Sequence, residues 1–162
     1  SKLSELIDHS IRAGYKVRFF PMELTGADRP CIESIIEKVE NKRDCEIVEG
    51  FPDTVEHINA ISQCKIFVGH KTHSVIFSLV AATPLIAIAY HEKTKDFMSQ
   101  FGIGKYCIPD TQLSGAKLIK MFDEVKDNLD AINRKEEALA YEMYKQVKSD
   151  FAKMLSRIHI DQ

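Results

Sequence analysis

The chain has 162 residues and a mass of 18.4 kDa, enough to bury the core of one domain. It is 44% apolar and 28% charged with a net charge of −2, so the composition is that of a globular protein and does not favour nucleic acid as a partner. A local basic site remains open. The longest mostly apolar stretch, Val75 to Tyr90, contains Ser78 and Pro84 and is shorter than the roughly 20 residues of a membrane span, so we expect none.

Four cysteines show no C-x-x-C pair and lie at or beside apolar segments. This pattern favours buried, reduced thiols and a cytoplasmic location. The chain starts at Ser1 with a predicted helix, whereas an α/β unit usually opens with a strand, so we expect it to be part of a longer protein. The cysteines are Cys31, Cys45, Cys64 and Cys107.

The first half of the chain alternates predicted helices and strands. Apolar residues at helical spacing predict a first helix that ends near Gly14. A strand over Lys16 to Met22 follows, and Pro30 suits the first turn of a second helix. A short strand covers Cys45 to Val48, and Asp53 opens a third helix, with a glutamate three residues later at capping-box spacing.

The second half continues the alternation up to an edge strand. Lys65 to Val68 reads as a strand, and Ser74 to Ala82 as a helix that is apolar nearly all round and therefore buried. The continuous apolar run Leu85 to Ala89 is typical of a parallel strand covered on both faces. A short helix over Asp96 to Phe101 and a strand over Lys105 to Ile108 complete the pattern.

This order predicts an α/β fold: a Rossmann-like parallel sheet with helices on both faces and right-handed crossovers. After Gly115 there is no Gly or Pro. One amphipathic helix is predicted to run through Leu129 and Ile132, and a second, 26 residues long, over Asn133 to Ile158. We expect a single Rossmann-like domain with its core in residues 1–113. Residues 114–162 would form C-terminal helices that pack partly on an N-terminal domain outside this chain.

Ligands of open parallel sheets bind beyond the carboxyl ends of the strands. That rule selects loops in which to look for a site. The four loops are Glu23 to Arg29, Gly50 to Pro52, Gly69 to His73 and His91 to Lys95, with a fifth near Pro109 and Asp110.

The third of these loops has the richest chemistry. Gly69 permits a close backbone turn, and the helix that follows presents unpaired amides and the positive end of its dipole. Lys71 adds a charge, and His70 and His73 can donate hydrogen bonds or exchange protons near neutral pH. With Ser74 they predict a phosphate or carboxylate site that contains a general acid.

Less specific interpretations of the same residues stay open. Thr72 or Ser74 could serve as a helix cap, and the histidines could be structural surface residues. His70 and His73 could also form a metal pair, but no carboxylate or cysteine stands nearby at ligand spacing, so we expect no metal site. No cofactor is expected either.

The loop after the most buried strand adds further charge. It contains Tyr90 and Lys93, and Lys93 would face the same crevice as Lys71 if the two strands are neighbours. Two cationic loops at adjacent strand ends suit a multiply charged anion. For Lys95 we prefer a solvated role, and for Asp28 a place at a helix start is at least as well supported as a ligand role.

The run from Ile66 to Gly102 resembles the C-terminal half of polysaccharide pyruvyl transferases. That family has an apolar strand, an R-x-H-S-like element, an apolar helix, a Pro-containing turn, a second apolar strand, a tyrosine and a lysine three residues on. Upstream, Phe20, Pro21 and Met22 with Asp28 look like its strand-and-acid element, and Asp53 to Ile61 like the helix before its central strand. The matching residues of the run are Lys71, His73, Ser74, Pro84, Ile86, Ile88, Tyr90 and Lys93.

The resemblance implies one half of a GT-B-like architecture, in which two Rossmann-like domains face a cleft. It also implies transfer of a pyruvyl group from phosphoenolpyruvate to a glycan or lipid-linked sugar of a cell-surface polysaccharide, as a ketal, with release of phosphate. His73 would protonate the enol methylene or bind the donor, Lys71 would hold the donor's carboxylate or phosphate, and Lys93 would add charge. The isolated domain would catalyse little.

Lys71 stands where the family usually has arginine. Arginine grips a carboxylate through two parallel hydrogen bonds, whereas lysine offers a point charge. Two alternatives therefore remain: the nucleotide-sugar-binding domain of a GT-B-type glycosyltransferase, for which Asp110 would be the candidate ribose ligand, and a non-catalytic domain that binds an anion or a partner chain.

Overall fold

A computed structural model of the chain describes residues 1–23, 26–50 and 53–158, with side chains up to residue 156. Within these ranges helices and parallel strands alternate, so the predicted α/β fold is confirmed. The helices are α1 (Lys2–Arg12), α2 (Asp28–Ile36), α3 (Thr54–Ser62), α4 (Thr72–Val80), α5 (Glu92–Gln100), α6 (Gly115–Asp127) and α7 (Leu129–Ile158). The strands are β1 (Val17–Phe19), β2 (Cys45–Ile47), β3 (Phe67–Gly69), β4 (Leu85–Ala89) and β5 (Cys107–Pro109).

The strands form two parallel groups. β1 pairs with β2, and Arg18 lies opposite Glu46. β4 lies between β3 and β5, with Val68 opposite Ile86 and Ile88 opposite Ile108. All the carboxyl ends of β3, β4 and β5 consequently lie along one edge.

The core is centred on β4, all five residues of which are buried. Side chains from α4, α5 and α6 pack around it, including the fully buried Val75, Met98 and Leu118. The burial that continuous apolarity predicted for β4 is confirmed. α4 is less enclosed than its composition suggested, because Val80 is 59% exposed at its C-terminal end.

The first helix ends as predicted. Ala13 is the C-cap of α1, and Gly14 follows with a φ of +90°, a left-handed conformation that glycine adopts without a Cβ clash. Asp53 is confirmed as the N-cap of α3, where its carboxylate accepts a hydrogen bond from the Glu56 amide at 2.8 Å. The third helix therefore begins where the capping pattern placed it.

The boundary between the two C-terminal helices was predicted wrongly. α6 ends at Asp127, and Asn128 interrupts the helix with a ψ of 21°. Leu129 and Ile132 consequently belong to α7, which has 30 residues rather than 26. Asn128 donates from Nδ2 to the Glu124 carbonyl oxygen at 2.8 Å, so a polar side chain ends α6 in the absence of Gly or Pro.

The start of α7 packs on the core, whereas its later part does not. Leu129, Ile132 and Leu139 contact the core cluster. Every residue of 141–156 is exposed, including an apolar stripe in which Val147 is 63% and Phe151 is 57% exposed. No helix of the described residues combines the length and apolar character needed to cross a bilayer.

Two smaller predictions also need correction. α5 begins at Glu92, four residues before the predicted start, because His91 already has the extended backbone of an N-cap. The four cysteines are free, but none is fully buried, and Cys31 is exposed. Partial burial raises the pKa of the Cys45, Cys64 and Cys107 thiols, which favours their protonated form.

Candidate functional site

The carboxyl edge of the sheet brings the predicted site loops together. β3 and β4 are hydrogen-bonded neighbours, with Gly69 opposite Ala87. The loop that contains Lys71 therefore lies beside the loop that contains Lys93, as the sequence argument required. The first turn of α2, which begins at Asp28, reaches the same edge from β1.

Lys71 is held by two carboxylates at this edge. Its Nζ lies 2.9 Å from Asp28 Oδ1 and also donates to Glu23 Oε1. Asp28 Oδ2 in turn accepts hydrogen bonds from the Met22 amide at 2.9 Å and the Glu23 amide at 3.1 Å. Asp28 is thus both the first residue of α2 and an ion-pair partner, and Glu23 is a partner that sequence reasoning did not identify.

The ion pair fixes the charge state of both groups. Partial burial acts against the charged form of Lys71, but the hydrogen bonds and charges of Glu23 and Asp28 outweigh it, and the pKa of Lys71 is raised. Burial likewise acts against ionised Asp28, yet Lys71 and the two backbone amides lower its pKa overall. Both residues are therefore charged at neutral pH. Glu23 is the more exposed of the two acids, at 58% against 20% for Asp28.

Two helix N-termini open onto this edge without a side-chain cap. The N-cap of α4 is Lys71 and that of α5 is His91, and neither side chain hydrogen-bonds a backbone amide of its helix. Uncapped amides at the positive end of a helix dipole favour an anion. Neither Thr72 nor Ser74 is the cap: Ser74 Oγ donates to the Lys71 carbonyl oxygen at 2.7 Å and is buried.

A hydroxyl pair ties the two helices together. Thr72 Oγ1 lies 3.0 Å from Thr94 Oγ1, and Thr94 is fully buried. This contact fixes the start of α4 relative to the start of α5. Thr94 was not predicted as part of the site, although a threonine early in the helix after each of two neighbouring strands was a visible signal.

Gly69 is required by close packing at the end of β3. A Cβ added there would lie 3.0 Å from Val75 Cγ2 and 3.2 Å from Ser74 Oγ. Both contacts are tighter than ordinary van der Waals separation. Glycine therefore lets α4 start directly against the strand, which sets the position of the Lys71 backbone.

Aromatic rings line the outer part of the edge. The His70 and Tyr90 rings stack with centroids 4.9 Å apart, and Tyr90 also contacts His91 at 4.1 Å. His73 and Lys93 are exposed, and no described residue hydrogen-bonds or ion-pairs with either side chain. They are accordingly accessible to a ligand at this edge.

The remaining predicted positions lie apart from this group or in other contacts. Lys95 pairs with Glu92 at 2.8 Å, and Asp110 accepts the Thr111 amide at 2.6 Å in a turn after β5. Residues 24–25 and 51–52 of the first two predicted loops lie outside the described residues. Among the residues that are described, no three His, Cys, Asp or Glu side chains converge as a metal centre would require.

The groups at this edge are of the kinds that favour a small, multiply charged anion. Two helix N-termini and Lys93 supply positive potential, and His73 supplies an exposed imidazole. Lys71 is ion-paired with Asp28 and Glu23, whose negative charges offset its own. The positive potential at Lys71 is therefore lower than the sequence suggested.

No solved structure matches the chain. A family description, by contrast, matches residues 1–92, which include Asp28, Lys71, His73 and Tyr90 and end directly before Lys93. This match covers more than half of the 162 residues. The chain belongs to the polysaccharide pyruvyl transferase family.

Proposed function

We propose that this domain binds phosphoenolpyruvate at the carboxyl edge of β3 and β4 and forms part of a pyruvyltransferase acting on a sugar of a cell-surface polysaccharide or its precursor. The observation that carries the proposal is the pair of uncapped helix N-termini, α4 and α5, joined through Thr72 and Thr94. Phosphoenolpyruvate carries a phosphate and a carboxylate, and two adjacent positive sites suit two anionic groups.

In the proposed binding mode, the donor displaces Glu23 from Lys71. Glu23 is more exposed than Asp28 and approaches from a loop, so it is the carboxylate that a ligand can replace. Asp28 stays in place through its two backbone hydrogen bonds and keeps Lys71 aimed at the edge. The arginine that is usual in the family would form two parallel hydrogen bonds to the anion. Lys71 would instead bind the anion as a point charge.

Proton transfer is assigned to His73. In the proposed reaction, the C3 methylene of phosphoenolpyruvate gains a proton and becomes a methyl group. Two sugar hydroxyl oxygens bond to C2 as the C2–O bond to phosphate breaks. Of the two hydroxyl protons, one balances the proton added to C3 and the other leaves with phosphate. His73 is exposed and has no described side-chain partner, so it can carry that proton.

The remaining part of the cleft is proposed to come from another domain of the protein. The exposed stripe on α7, which includes Tyr144, Val147 and Phe151, is an apolar surface that such a domain could cover. In this proposal the N-terminal half of a GT-B-like architecture holds the acceptor, and the present domain holds the donor. The domain by itself then binds donor without turning it over, in the cytoplasm where phosphoenolpyruvate is made.

A thermal-shift titration tests the assignment of donor. Phosphoenolpyruvate should raise the unfolding temperature of the 162-residue chain more than equal concentrations of phosphate or pyruvate. His73→Ala and Lys71→Ala should each reduce that rise. His9→Ala should not reduce it, because His9 contacts Asp123 on α6 and not a residue of the candidate site. Stabilisation by nucleotide sugars and not by phosphoenolpyruvate would contradict the proposal and favour a glycosyltransferase-type domain.

A further inference from the structure

A slot separates the two groups of strands. It lies between β1 and β3, has a volume of about 640 Å³, and is lined along its length by residues of both strands. Helices cover it with apolar side chains, among them Leu6 and Ile7 of α1, Ile32 of α2 and Phe122 of α6. We call this space the interstrand slot. Its walls are formed by two strand edges and by mainly apolar side chains.

The strand edges that face the slot carry unused backbone groups. The Phe19 carbonyl accepts the amide of Val48, the residue after β2, and the Phe67 amide donates to the carbonyl oxygen of Pro84, the residue before β4. Alternate residues of a strand direct their backbone groups to opposite sides, so Arg18 and Val68 point theirs into the slot. No described residue pairs with those groups. One added parallel strand would find backbone hydrogen-bond partners on both of its sides, at the free edge of β1 and at the free edge of β3.

Burial falls off at the strands beside the slot, as it does at the outer strands β2 and β5. β4 is buried throughout, whereas all three residues of β1 are half-buried, and so are Ile66 and Val68 at β3. The side chains that a central strand would normally cover are thus the ones left partly open. The slot is therefore a gap in an otherwise continuous sheet.

The order of the strands identifies the position that the slot occupies in the sheet. The observed order is β2, β1, slot, β3, β4, β5. A doubly wound sheet has the order 3-2-1-4-5-6, with the strand that precedes the first helix at position 1, between strands 2 and 4. With α1 as that first helix, β1 to β5 occupy positions 2 to 6, and the slot occupies position 1. A right-handed crossover from such a strand through α1 places it beside β1, whose other edge is taken by β2.

We propose that the interstrand slot seats a sixth parallel strand, formed by polypeptide that leads directly into α1. Its central residues hydrogen-bond Arg18 on one side and Val68 on the other, joining the two groups of strands into one sheet. Its carboxyl end then reaches the edge where Asp28 and Lys71 meet, since both line the mouth of the slot. The turn between this strand and α1 becomes a further wall of the candidate site.

Hydrogen exchange on the 162-residue chain gives a first test that needs no added segment. The amides of Arg18 and Val68 should exchange at least about tenfold faster than those of Phe19 and Phe67, because open edges are protected only by local structure. Equal protection of all four amides would overturn the proposal, since it would mean that the two edges are already paired.

A designed extension tests the occupant. A segment of about ten residues, a valine- and isoleucine-rich strand with a short polar turn, is fused directly before Ser1. Its matched control carries proline at two central strand positions, which removes the donors that a ladder needs. The first extension should slow exchange at Arg18 and Val68 and raise the unfolding temperature by about 5 °C or more, whereas the proline version should do neither.

The same measurements distinguish the proposed strand from two other possible occupants of the slot, a strand from a second copy of the chain and an apolar ligand. Protection that appears only in a dimer would assign the slot to a strand exchanged from a second copy and overturn the proposal. An apolar ligand that perturbs the amide signals of Arg18 and Val68 equally with and without the strand extension would show that the slot is a ligand cavity, and would overturn it too. Because none of these measurements uses phosphoenolpyruvate, the result is independent of the proposed function.

Discussion

Lys71 Nζ lies 2.9 Å from Asp28 Oδ1, and this ion pair joins the loop after β3 to the first turn of α2 across the mouth of the interstrand slot. The two residues are 43 positions apart in sequence. Since β1 and β3 share no ladder, the pair is a main polar connection between the two groups of strands at this edge. Its removal should affect both stability and ligand binding.

Asp28→Asn should destabilise the domain by about 1 to 2 kcal/mol at pH 7, because it removes one charge of a half-buried pair and weakens two backbone hydrogen bonds. The loss should also change with pH. The pKa of Asp28 is lowered in the folded state, so its contribution is present above the ordinary pKa of the carboxyl and is lost as pH falls through the lowered value.

Urea unfolding at pH 7 and at pH 3 measures this effect. The difference between wild type and Asp28→Asn should be larger at pH 7 than at pH 3. Asp96→Asn serves as the control, since Asp96 is an exposed aspartate on α5 outside the ion pair. A variant as stable as wild type at both pH values would show that the pair contributes nothing measurable.

Lys93 and Lys95 provide a matched pair for the charge of the site. Lys95 is paired with Glu92, whereas no described residue pairs with Lys93. Lys93→Ala should therefore cut the phosphoenolpyruvate-induced rise in unfolding temperature by about half or more, since a free cation near an anion contributes more than an engaged one. Lys95→Ala should leave most of that rise, and equal effects of the two substitutions would argue against a donor site here.

Much of this edge was predictable because it depends on local sequence. The apolar run of β4, the glycine at the end of β3 and the lysines of two successive loops each leave a signal within a few residues. Strand adjacency then follows from the general behaviour of parallel sheets. These signals placed His70, Lys71, Tyr90 and Lys93 along one edge without any knowledge of long-range contacts.

The parts that the sequence did not predict depend on distant partners. The pairing of Lys71 with Glu23 and Asp28 joins residues 43 or more positions apart, and nothing in the local pattern specifies it. The contact between Thr72 and Thr94 also joins residues that are distant in sequence, 22 positions apart. The helix boundary at Asn128 was missed for another reason: its side chain replaces the glycine or proline that usually marks an end.

Gly69→Ala should destabilise the domain by about 1 to 3 kcal/mol and also weaken donor binding. The added Cβ lies 3.0 Å from Val75 Cγ2, so α4 must shift away from the end of β3, and the Lys71 backbone shifts with it. Urea unfolding measures the first effect and the phosphoenolpyruvate titration the second.

Gly14→Ala separates these two consequences. Gly14 has open space around its Cβ position but a φ of +90°, so alanine costs backbone strain far from the candidate site. It should lower stability while leaving the phosphoenolpyruvate-induced shift unchanged. If Gly14→Ala reduces that shift as much as Gly69→Ala does, general destabilisation explains both and the positional argument for Gly69 is wrong.

Glu136 should make the domain less stable as pH rises through the neutral range. The residue lies on α7 with 0% exposure, so its carboxyl group is shielded from water. Burial raises its pKa to about 8, opposed by the backbone of Leu85 and the charge of Lys135, which lower it. The folded state therefore keeps a proton that the unfolded chain has released.

The sign of the pH effect follows from that difference. The contribution of protonated Glu136 is complete below its ordinary pKa of 4.5 and is lost progressively as pH rises towards 8. At about 1.4 kcal/mol for each pH unit, the loss amounts to roughly 5 kcal/mol over this range. Glu136→Gln cannot ionise, so its free energy of unfolding should change less between pH 5 and pH 8 and exceed that of wild type at pH 8.

Chemical unfolding of wild type, Glu136→Gln and Glu137→Gln at pH 5, 6.5 and 8 measures this difference. Glu137 is the matched control, since it is the next residue on the same helix and is exposed. The Glu137 variant should follow wild type at all three pH values, because it leaves the buried carboxyl group of Glu136 in place. Identical pH profiles for all three proteins would mean that Glu136 reaches water or a partner when ionised, and that α7 is anchored by its apolar contacts alone.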